Sequence, residues 1–391
     1  MKFPPSPPYA VTRFSSHDTL DLRRDMDWRL LSEPSAVLMG VSPRAPRMLE
    51  AMQEDGSWFG FLGYELGEWT EEVPRRPPCD WGLPDFWVAD FRKNESFLPE
   101  LESFYPARER SPIESSLSVA EHTRRLSRIR DYLRAGDIYQ ANLTVRFEAD
   151  GIPDPWRLFL SIAQRSQAPY TAFLDAGDWK ILSFSPELFI RKEGNRIRTN
   201  PIKGTIGRMP RKEEDRLAVE WLLRSEKNLA ELLMIVDLER NDIGRVCKSG
   251  SLAWGPFPNL VSLPNVHHLC CPVSGVLREH VSLVEILKAT FPGGSISGAP
   301  KRRALQILRE LEPHRRGPYC GAIGYASSDR MLLNVGIRTG VWKEGKLRFW
   351  GGGGIVADSD SEQEQAEIRS KLEPFSSALG VSASEFWRSP E

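Results

Sequence analysis

The sequence predicts an α+β fold in which large antiparallel sheets form a sandwich, with helices packed outside the sheets. Strand-like runs follow one another with short turns typical of hairpins between them. The regular alternation of strand and helix that marks a parallel sheet is weak, and the chain has no internal repeat with a clear period. We therefore expect strands that are neighbours in sequence to pair directly.

The strands are predicted in two blocks. The first block contains "IYQANLTVRFEA", "YTAFLDAGDWKILSFSP" and "ELFIRKEGNRIRTNP", in which Ala-Gly-Asp and Glu-Gly-Asn supply hairpin turns. The second block contains "YCGAIGYASS", "MLLNVGIRTGVW" and "KLRFWGGGGIV". Both blocks are expected to contribute to the antiparallel sheets.

Helices are predicted before, between and after these blocks. "VAEHTRRLSRIRDYLRAGD" has apolar residues at helical spacing, and Gly136 lies just past its end, as expected of a C-terminal cap. A long helical region is centred on "DRLAVEWLLRSEKNLAELLMIVDLERND", and a final helix begins near Asp360. The apolar face of the central region is marked by Leu229, Leu232, Leu233 and Val236.

The amino-acid composition of the chain changes near residue 112. Residues 1–112 are rich in proline and tryptophan and are expected to contribute to the same folded unit as the main domain, which is predicted over residues 118–380. The polar stretch "RERSPIESSLS" is typical of a linker. "DWRLLSEPSAVLM" predicts a plain amphipathic strand.

The composition is that of an ordinary globular protein. Of the 391 residues, 40% are hydrophobic and 27% are charged, with a formal net charge of -1. No overall basic field favours nucleic acid or an anionic membrane, and no apolar run is long enough to span a bilayer. The first residues lack a secretory signal, and the five cysteines lack the spacing of a disulfide framework or a zinc site. We expect a cytoplasmic enzyme that binds any anionic substrate through local cations or a metal.

Two helices carry carboxylates that could act together. In "DSDSEQEQAEIRSK", Glu364, Glu367 and Lys371 share one side of the last helix, while Glu231 lies close to the apolar face of the central helix. One interpretation is a solvated helix face with a Glu367–Lys371 ion pair. The other is a cavity between two helices, where carboxylates bind magnesium together with water and substrate oxygens. The residues alone leave both open.

Two glycine-rich turns suit an anion. Gly351–Gly354 follow a strand in "RFWGGGGIVADS", and "FPGGSISGAPKRRALQIL" opens a helix at Pro300. Free backbone N–H groups and a helix N-terminus both attract negative charge, although flexible turns explain either run as well. Neither has the spacing of a Walker A loop.

Lys203 and the paired histidines allow several interpretations. In "TNPIKGTIGR" the flanks suggest a strand that ends in a tight bend and displays Lys203. This lysine could be a solvated surface charge, an anchor for phosphate or carboxylate, or a nucleophile. His267 and His268 are embedded in apolar sequence, where a hydrogen-bonded core histidine is the usual outcome.

Nine ordered motifs between Asp137 and Lys371 resemble the chorismate-utilising enzymes, which include anthranilate, aminodeoxychorismate, isochorismate and salicylate synthases. The motifs are "GDIYQANLT", "SFSPELF", "NPIKGT", "AELLMIVDLERNDIGRV", "VHHL", "FPGGSISGAPK", "RRGPYCGAIGY", "IRTG" and "GGGGIVADS". The resemblance implies the fold of anthranilate synthase component I and a chorismate-binding domain over residues 118–380. "GSWFGFLGYELG" resembles the N-terminal segment of the family more loosely, and "DWRLLSEPSAVLM" faintly resembles a tryptophan-binding element found in some members, although we favour the plain strand and expect no feedback inhibition.

Two positions distinguish the branches of this family. Members that use ammonia have glutamine where Gln140 stands, whereas the isochorismate group has its lysine base there. At "PIKGT", anthranilate synthases have alanine where Lys203 stands, and aminodeoxychorismate synthases have lysine. The resemblance thus implies the large subunit of the aminodeoxychorismate synthase branch, on the route to 4-aminobenzoate and folate. The nearest alternative is anthranilate synthase component I. A catalytically silent relative that acts as a binding partner would be expected to lack the metal carboxylates.

The resemblance also assigns a metal site. Glu231 and Glu367 match carboxylates that bind Mg²⁺ directly, and Glu364 matches one that acts through water. Asn228 stands where the family commonly has a further acid, so we expect weaker binding of magnesium rather than loss of activity.

The same comparison of motifs assigns roles in catalysis. Lys203 matches the nucleophile that forms a covalent adduct at C2 of chorismate, Glu187 matches the carboxyl group near the C4 hydroxyl, and His268 matches a histidine beside the reacting ring. The residues that match the substrate site are Gln140, Ser295, Tyr319, Arg338, Gly352, Gly353, Gly354 and Lys371.

These roles set physical requirements. Glu187 must be protonated to help the hydroxyl leave, so burial should raise its pKa. Lys203 must lose its proton to attack, and desolvation and the metal charge should favour the neutral amine. None of the cysteines lies in a glutaminase-like motif, so the resemblance implies a separate glutamine amidotransferase subunit as the source of ammonia. Release of pyruvate would need another enzyme.

Overall fold

The computed structural model describes residues 6–14, 28–41, 45–52, 56–97, 113–166, 168–263, 266–382 and 387. Its strands are β1 (Tyr9–Phe14), β2 (Arg29–Gly40), β3 (Trp58–Leu62), β4 (Phe86–Ser96), β5 (Ile113–Ser115), β6 (Gln140–Ala149), β7 (Tyr170–Asp175), β8 (Trp179–Ser185), β9 (Leu188–Glu193), β10 (Arg196–Asn200), β11 (Ile202–Gly207), β12 (Ala253–Trp254), β13 (Asn259–Ser262), β14 (Val266–Cys270), β15 (Val273–Val276), β16 (Gly298–Ala299), β17 (Ala322–Ala326), β18 (Arg330–Val335), β19 (Thr339–Lys343) and β20 (Lys346–Ile355). Its helices are α1 (Ala45–Glu50), α2 (Gly67–Thr70), α3 (Val119–Arg134), α4 (Pro155–Ser166), α5 (Lys212–Arg224), α6 (Glu226–Gly244), α7 (Leu283–Thr290), α8 (Gly294–Ser297), α9 (Lys301–Leu311) and α10 (Ser361–Ala378).

One large antiparallel sheet dominates the described part of the chain. It joins 17 strands, while β11, β13 and β14 form a separate sheet of three. Hairpin neighbours such as β7 and β8, or β9 and β10, pair directly. The predicted α+β class with large antiparallel sheets and helices packed on them is confirmed.

Strands from the N-terminal segment belong to the same sheet as later strands. β1 pairs with β7 along its whole length, from Tyr9 opposite Asp175 to Phe14 opposite Tyr170. β3 pairs with β17 in the same manner. The boundary between residues 1–112 and 118–380 stays a prediction.

Only part of the predicted linker "RERSPIESSLS" lies among the described residues. Residues 108–112 lie outside the described residues, and Ile113–Ser115 form β5, which pairs with β6. A strand is therefore present where a linker was expected. In "DWRLLSEPSAVLM", the predicted strand is confirmed as β2.

Helix ends follow the chemistry of their sequences. α3 begins with a capping box of Ser118 and Glu121, and Gly136 follows its end with a φ of 77°. Asp360 caps α10 by accepting hydrogen bonds from the backbone N–H groups of Glu362 and Gln363. Among the described helices, none is both long and apolar enough to cross a membrane.

The apolar face predicted for α6 needs one correction. Leu232, Ile235 and Val236 are buried, but Leu233 is 57% exposed. Consecutive helical residues are about 100° apart around the axis, so Leu232 and Leu233 cannot both point to the centre of one face.

An aromatic stack anchors α10 on the central sheet. Phe375 of α10 stacks on Phe349 of β20 with ring centroids 5.0 Å apart, and Phe349 stacks on Phe147 of β6 at 5.8 Å. β6 and β20 pair from Leu347 opposite Ala149 to Ile355 opposite Ala141. This arrangement holds the glycine run of β20 between β6 and the first turns of α10.

The close packing of Gly298 in β16 against β6, the strand that bears Gln140, generates a prediction about stability. A Cβ at Gly298, where φ is 140°, would lie 2.2 Å from the carbonyl O of Gln140 and 2.8 Å from the Cβ of Ala304. We expect Gly298→Ala to lower the free energy of unfolding by about 3 kcal/mol, because overpacking adds to backbone strain. Gly250→Ala is the matched control, since a Cβ there meets no atom within 4 Å and only its φ of 75° is unfavourable. Equal losses for the two variants in urea denaturation would contradict the packing argument.

Candidate active site

Lys203 lies on β11 with its amine beside the glycine run of β20. A Cβ placed on Gly354 would lie 3.2 Å from Lys203 Nζ and 2.6 Å from Gln140 Nε2. The missing side chain at Gly354 therefore leaves the space that these two polar groups occupy. Lys203 is half buried and lies just inside the start of β11, where the pairing with β14 is irregular between Ile202 and Thr205.

Gln140 is a buried amide with unused hydrogen-bonding capacity. Its side chain is fully buried, and neither Oε1 nor Nε2 has a hydrogen-bond partner among the described residues. Buried amides are almost always hydrogen-bonded in folded proteins. An orphaned amide next to a lysine amine indicates a site that a polar ligand completes.

Glu187 lies between β8 and β9 as a buried acid. Its side chain is 4% exposed, and Ser295 Oγ donates a hydrogen bond to Glu187 Oε1 at 2.9 Å. Burial raises the pKa of Glu187 to about 7, while the Ser295 hydrogen bond and the charge of Lys203 act in the opposite direction. The predicted rise is confirmed. Near neutral pH, Glu187 can therefore give and take a proton.

Lys371 links α10 to the glycine run. Its Nζ donates a hydrogen bond to the carbonyl O of Gly352 at 2.8 Å and lies 2.6 Å from Glu367 Oε1. The charge of Lys371 lowers the pKa of Glu367, although burial acts against it. The expected ion pair thus exists, and it lies at the edge of the site rather than on a remote surface.

Glu364 points at the same glycine run. It is 3% exposed, and Ser359 Oγ donates to Glu364 Oε1 at 2.7 Å. Its other oxygen, Oε2, has no hydrogen-bond partner among the described residues and would lie 2.6 Å from a Cβ on Gly353. Burial raises the pKa of Glu364, and the charge of Glu367 adds to this rise.

The carboxylates fit a magnesium ion in chemistry, but they are not preassembled. Carboxylate oxygens are the donors that Mg²⁺ prefers, and Glu364 offers one that is buried and unused. The charge of Lys227 acts on both Glu364 and Glu367, so the first turn of α6 faces these carboxylates. Glu231 lies one turn further along α6 and is half buried. Across the described ranges, however, no three acidic, histidine or cysteine side chains are close enough to hold a metal ion.

Asn228, which replaces an acid expected from the family, lies on this side of α6. Its Nδ2 donates to Ser225 Oγ at 2.9 Å. An amide in place of a carboxylate removes one negative charge from the α6 side chains that face α10. Weaker binding of magnesium stays a prediction.

The two histidines differ in the hydrogen bonds that their ring nitrogens make. His267 is bound on both sides, by Ser262 at 2.7 Å and by Asp215 at 3.0 Å. His268 Nδ1 lies 2.7 Å from Thr205 Oγ1, whereas its buried Nε2 has no partner among the described residues. Burial lowers the pKa of His268 to about 3, and the charge of Arg338 adds to this effect. His268 is therefore a neutral imidazole with one free nitrogen.

Arg338 and Tyr319 have different surroundings. Within the described ranges, the Arg338 guanidinium makes no hydrogen bond or ion pair of its own; burial lowers its pKa, and the more distant charge of Glu373 acts in the opposite direction. It is therefore free to bind an anion. Tyr319 is buried in the main apolar core and stacks on Trp350 with centroids 5.8 Å apart. The expected contact of Tyr319 with substrate stays a prediction.

Two charged residues near the site were not singled out from the sequence. Lys227 acts on the α10 carboxylates, and no short motif marks it. Glu239 is buried on α6, seven residues after buried Leu232. That helical period is the signal that could have placed it on the inner face.

The hydrogen bond from Ser295 to Glu187 generates a prediction about the pKa of Glu187. The Ser295 hydroxyl favours the carboxylate form, so Ser295→Ala should raise the pKa of Glu187 above about 7 by roughly one unit. An infrared titration of the protonated carboxyl band measures this midpoint. Ser359→Ala, which removes the similar donor to Glu364, is the control and should leave the Glu187 midpoint in place. A midpoint that falls in Ser295→Ala would contradict this account.

The chain has clear relatives of known activity. Aminodeoxychorismate synthase component 1 of Escherichia coli (strain K12) is 38% identical over 367 residues, which cover 87% of this chain and 81% of that protein. Anthranilate synthase component 1 of Thermus thermophilus is 35% identical over 357 residues, which cover 83% and 77%. Two branches of one family are therefore close to this sequence.

Solved structures agree with this relationship. The crystal structure of anthranilate synthase component I from Streptococcus pneumoniae TIGR4 superposes with a TM-score of 0.77 at 26% identity, covering 90% of this chain and 91% of that one. The menaquinone-specific isochorismate synthase from Escherichia coli shares the fold, with a TM-score of 0.75 at 18% identity and coverage of 95% of this chain and 88% of that one. The sequence profile of the chorismate binding enzymes matches residues 32–377. The chain belongs to the chorismate binding enzyme family.

Proposed function

We propose that this chain is the large subunit of an aminodeoxychorismate synthase, which converts chorismate and ammonia to 4-amino-4-deoxychorismate. The observation that carries the proposal is the meeting of the Lys203 amine and the Gln140 amide at Gly354, with Glu187 within electrostatic reach of Lys203. The 38% identity to an enzyme of that name supports it.

The first half of the reaction uses Lys203 and Glu187. The neutral amine of Lys203 attacks C2 of chorismate, the double bonds shift along the ring, and the C4–O bond breaks. Hydroxide is a poor leaving group, so protonated Glu187 donates a proton and the hydroxyl leaves as water. With its pKa near 7, Glu187 holds this proton in a large fraction of molecules at neutral pH.

The second half restores both side chains. Ammonia attacks C4, the double bonds shift back, and the bond between C2 and Lys203 breaks. The Glu187 carboxylate takes the proton that the new C4 nitrogen releases, and Lys203 returns to the free amine. The enolpyruvyl ether is unchanged. Glu187 regains from the C4 nitrogen the proton that it gave to the leaving hydroxyl, so no other acid is needed.

The substrate is a dianion and this chain is nearly neutral overall. Local positive charges must therefore bind the substrate. Arg338 and Lys371 bind its carboxylates, together with backbone N–H groups of Gly352–Gly354. Glu231 and Glu367 would hold Mg²⁺ directly, and Glu364 would act through water. When bound, this ion neutralises the ring carboxylate and makes C2 more electrophilic. The free Nε2 of His268 is suited to a hydrogen bond beside the ring.

Ammonia comes from a glutamine amidotransferase subunit in this proposal. The word "component" in the name of the Escherichia coli relative supports a second subunit for that protein, and we extend it to this chain. All five cysteines are free thiols, which suits a reducing cytoplasm.

Anthranilate synthesis is the second candidate, because a relative with that activity is 35% identical. That reaction adds ammonia at C2 and eliminates pyruvate. The Lys203 side chain would stand in the path of ammonia to C2, which favours amination at C4.

The product decides between the two candidates. We expect the purified chain with chorismate, Mg²⁺ and ammonium to form 4-amino-4-deoxychorismate, because Lys203 rather than ammonia occupies C2. Adding a lyase and detecting 4-aminobenzoate by chromatography measures it. Anthranilate as the main product would reject the assignment.

The covalent step gives a separate prediction. With chorismate and Mg²⁺ but no ammonia, intact-protein mass spectrometry should show a mass gain of chorismate less one water. Lys203→Ala should abolish the gain and lower kcat/KM at least about a hundredfold, as expected for loss of a nucleophile. Lys192→Ala, which removes a half-buried lysine on β9, is the control and should keep both. Full activity in Lys203→Ala would refute the nucleophile.

A further inference from the structure

A fully buried ion pair connects two of the elements that build the candidate site. The side chains of Arg316 and Glu312 have no solvent exposure, and they form two hydrogen bonds, Nη2 to Oε1 at 2.7 Å and Nε to Oε2 at 3.0 Å. A buried ion pair is weak evidence of stability, because apolar side chains of similar volume often stabilise a core as well. The other contacts of this pair therefore indicate what it does.

The pair fills a gap along one edge of β6. β16 pairs with one end of this edge and β5 with the other. Between them, the backbone N–H of Thr144 donates to Glu312 Oε1 at 2.9 Å, and Arg316 Nη2 donates to the carbonyl O of Asn142 at 2.5 Å. One acceptor and one donor are what a neighbouring strand would supply. The ion pair thus fixes β6 two residues from Gln140.

The same guanidinium holds α8. Its Nη1 donates to the carbonyl O of Ile296 at 2.9 Å. In a continuing helix that carbonyl would accept from the backbone N–H of residue 300, but Pro300 has no N–H. Arg316 supplies the missing donor. Ile296 directly follows Ser295, whose hydroxyl donates to Glu187 at 2.9 Å.

Arg316 is itself held from two further sides. Its Cζ lies 4.2 Å from the centroid of the Tyr64 ring. The backbone N–H groups of Arg316 and Gly317 donate to the two carboxylate oxygens of Glu65, at 2.8 Å and 3.0 Å. The guanidinium is a rigid planar fork with several donors, whereas a lysine has a single nitrogen. Lysine therefore cannot reach α8, β6 and Glu312 at the same time.

We propose that Arg316, fixed by Glu312, is a positioning residue that holds the Ser295 hydroxyl of α8 and the Gln140 strand in their working arrangement. The inference rests on the proposed function, since it assumes that Glu187 and Gln140 serve that reaction. Arg316 acts through α8 and β6 rather than on the substrate.

The hydrogen bond from Ser295 makes the protonation of Glu187 a sensor of this arrangement. The other groups that face Glu187 are the backbone N–H of Ile202, the amines of Lys203 and Lys371, the thiol of Cys270 and the carboxyl group of Glu239. Arg316→Lys changes none of these groups and keeps the positive charge at position 316. A higher pKa of Glu187 in this variant would therefore report loss of the Ser295 hydrogen bond.

The test is a double-mutant cycle read by infrared titration, which needs no substrate. The Glu187 midpoint is assigned by its loss in Glu187→Gln. Arg316→Lys should raise this midpoint by roughly one unit, towards that of Ser295→Ala. The double variant Arg316→Lys/Ser295→Ala should rise no further than Ser295→Ala alone, because both changes remove the same hydrogen bond. General loosening of the fold would not produce this lack of additivity.

The neighbouring Arg315 offers a matched control. It is also buried in an ion pair, but its partners are Asp85 and the carbonyl O of Pro77, which belong to neither α8 nor β6. Arg315→Lys should leave the Glu187 midpoint at the wild-type value, even where urea denaturation shows a similar loss of stability. An unchanged or lowered midpoint in Arg316→Lys would overturn the inference, and so would fully additive shifts in the double variant.

A second variant serves if Arg316→Lys does not fold. Glu312→Gln/Arg316→Met replaces both charges, so no unpaired charge stays buried, and it should raise the Glu187 midpoint in the same way. In the complete reaction, kcat of whichever variant folds should fall about tenfold or more, because the site residues are misplaced; a wild-type kcat would contradict the positioning role.

The outcomes separate this inference from the proposed function. If the coupled midpoints are seen but no 4-amino-4-deoxychorismate forms in the wild-type protein, the proposed function fails and the link from Arg316 to Ser295 stands. If the product forms but the midpoint does not respond to position 316, the function stands and the inference fails.

Discussion

The close approach of α10 and β11 to the glycine run of β20 is the constraint on which the candidate site depends. A Cβ on Gly351 would meet Ile368 of α10 at 2.8 Å, and the next three glycines would meet neighbouring groups at similar or shorter distances: Leu143 O at 2.7 Å, Glu364 Oε2 at 2.6 Å and Gln140 Nε2 at 2.6 Å. Side chains there would push away α10, the Gln140 amide and the Lys203 amine. The run that looks like a flexible turn in the sequence is a strand, paired with β6, and its lack of side chains brings charged groups together.

Burial sets the direction of the pKa shift for three titratable side chains of this site. Burial raises the pKa of Glu187 and Glu364 and lowers that of His268, while Ser295, Ser359 and Thr205 each supply one hydrogen bond to them. These hydroxyl groups hold the side chains in place without adding a formal charge. The groups that remain unsatisfied, such as the amide of Gln140, are those with which a polar ligand would pair.

Much of the fold followed from local patterns in the sequence. Hairpins between β7 and β8 and between β9 and β10, the capped ends of α3 and α10, and the antiparallel class all rest on turn residues, caps and periodicity. The patterns failed where tertiary contacts decide. Nothing local showed that Ile113–Ser115 would pair with β6, or that Leu233 would face outward. The candidate residues came from ordered motifs, whereas the hydrogen bond between Thr199 of β10 and Glu239 of α6 is a contact that only the folded chain reveals.

The pairing of β1 with β7 and of β3 with β17 has a consequence for dividing the chain. Both N-terminal strands cover the edges of strands that lie beyond residue 118. A fragment that started at residue 118 would keep the candidate residues but expose two rows of unpaired N–H and C=O groups. Uncovered edges of this kind recruit other strands. We therefore expect such a fragment to self-associate, because the N-terminal strands cover these two edges although they supply none of the residues assigned to chemistry.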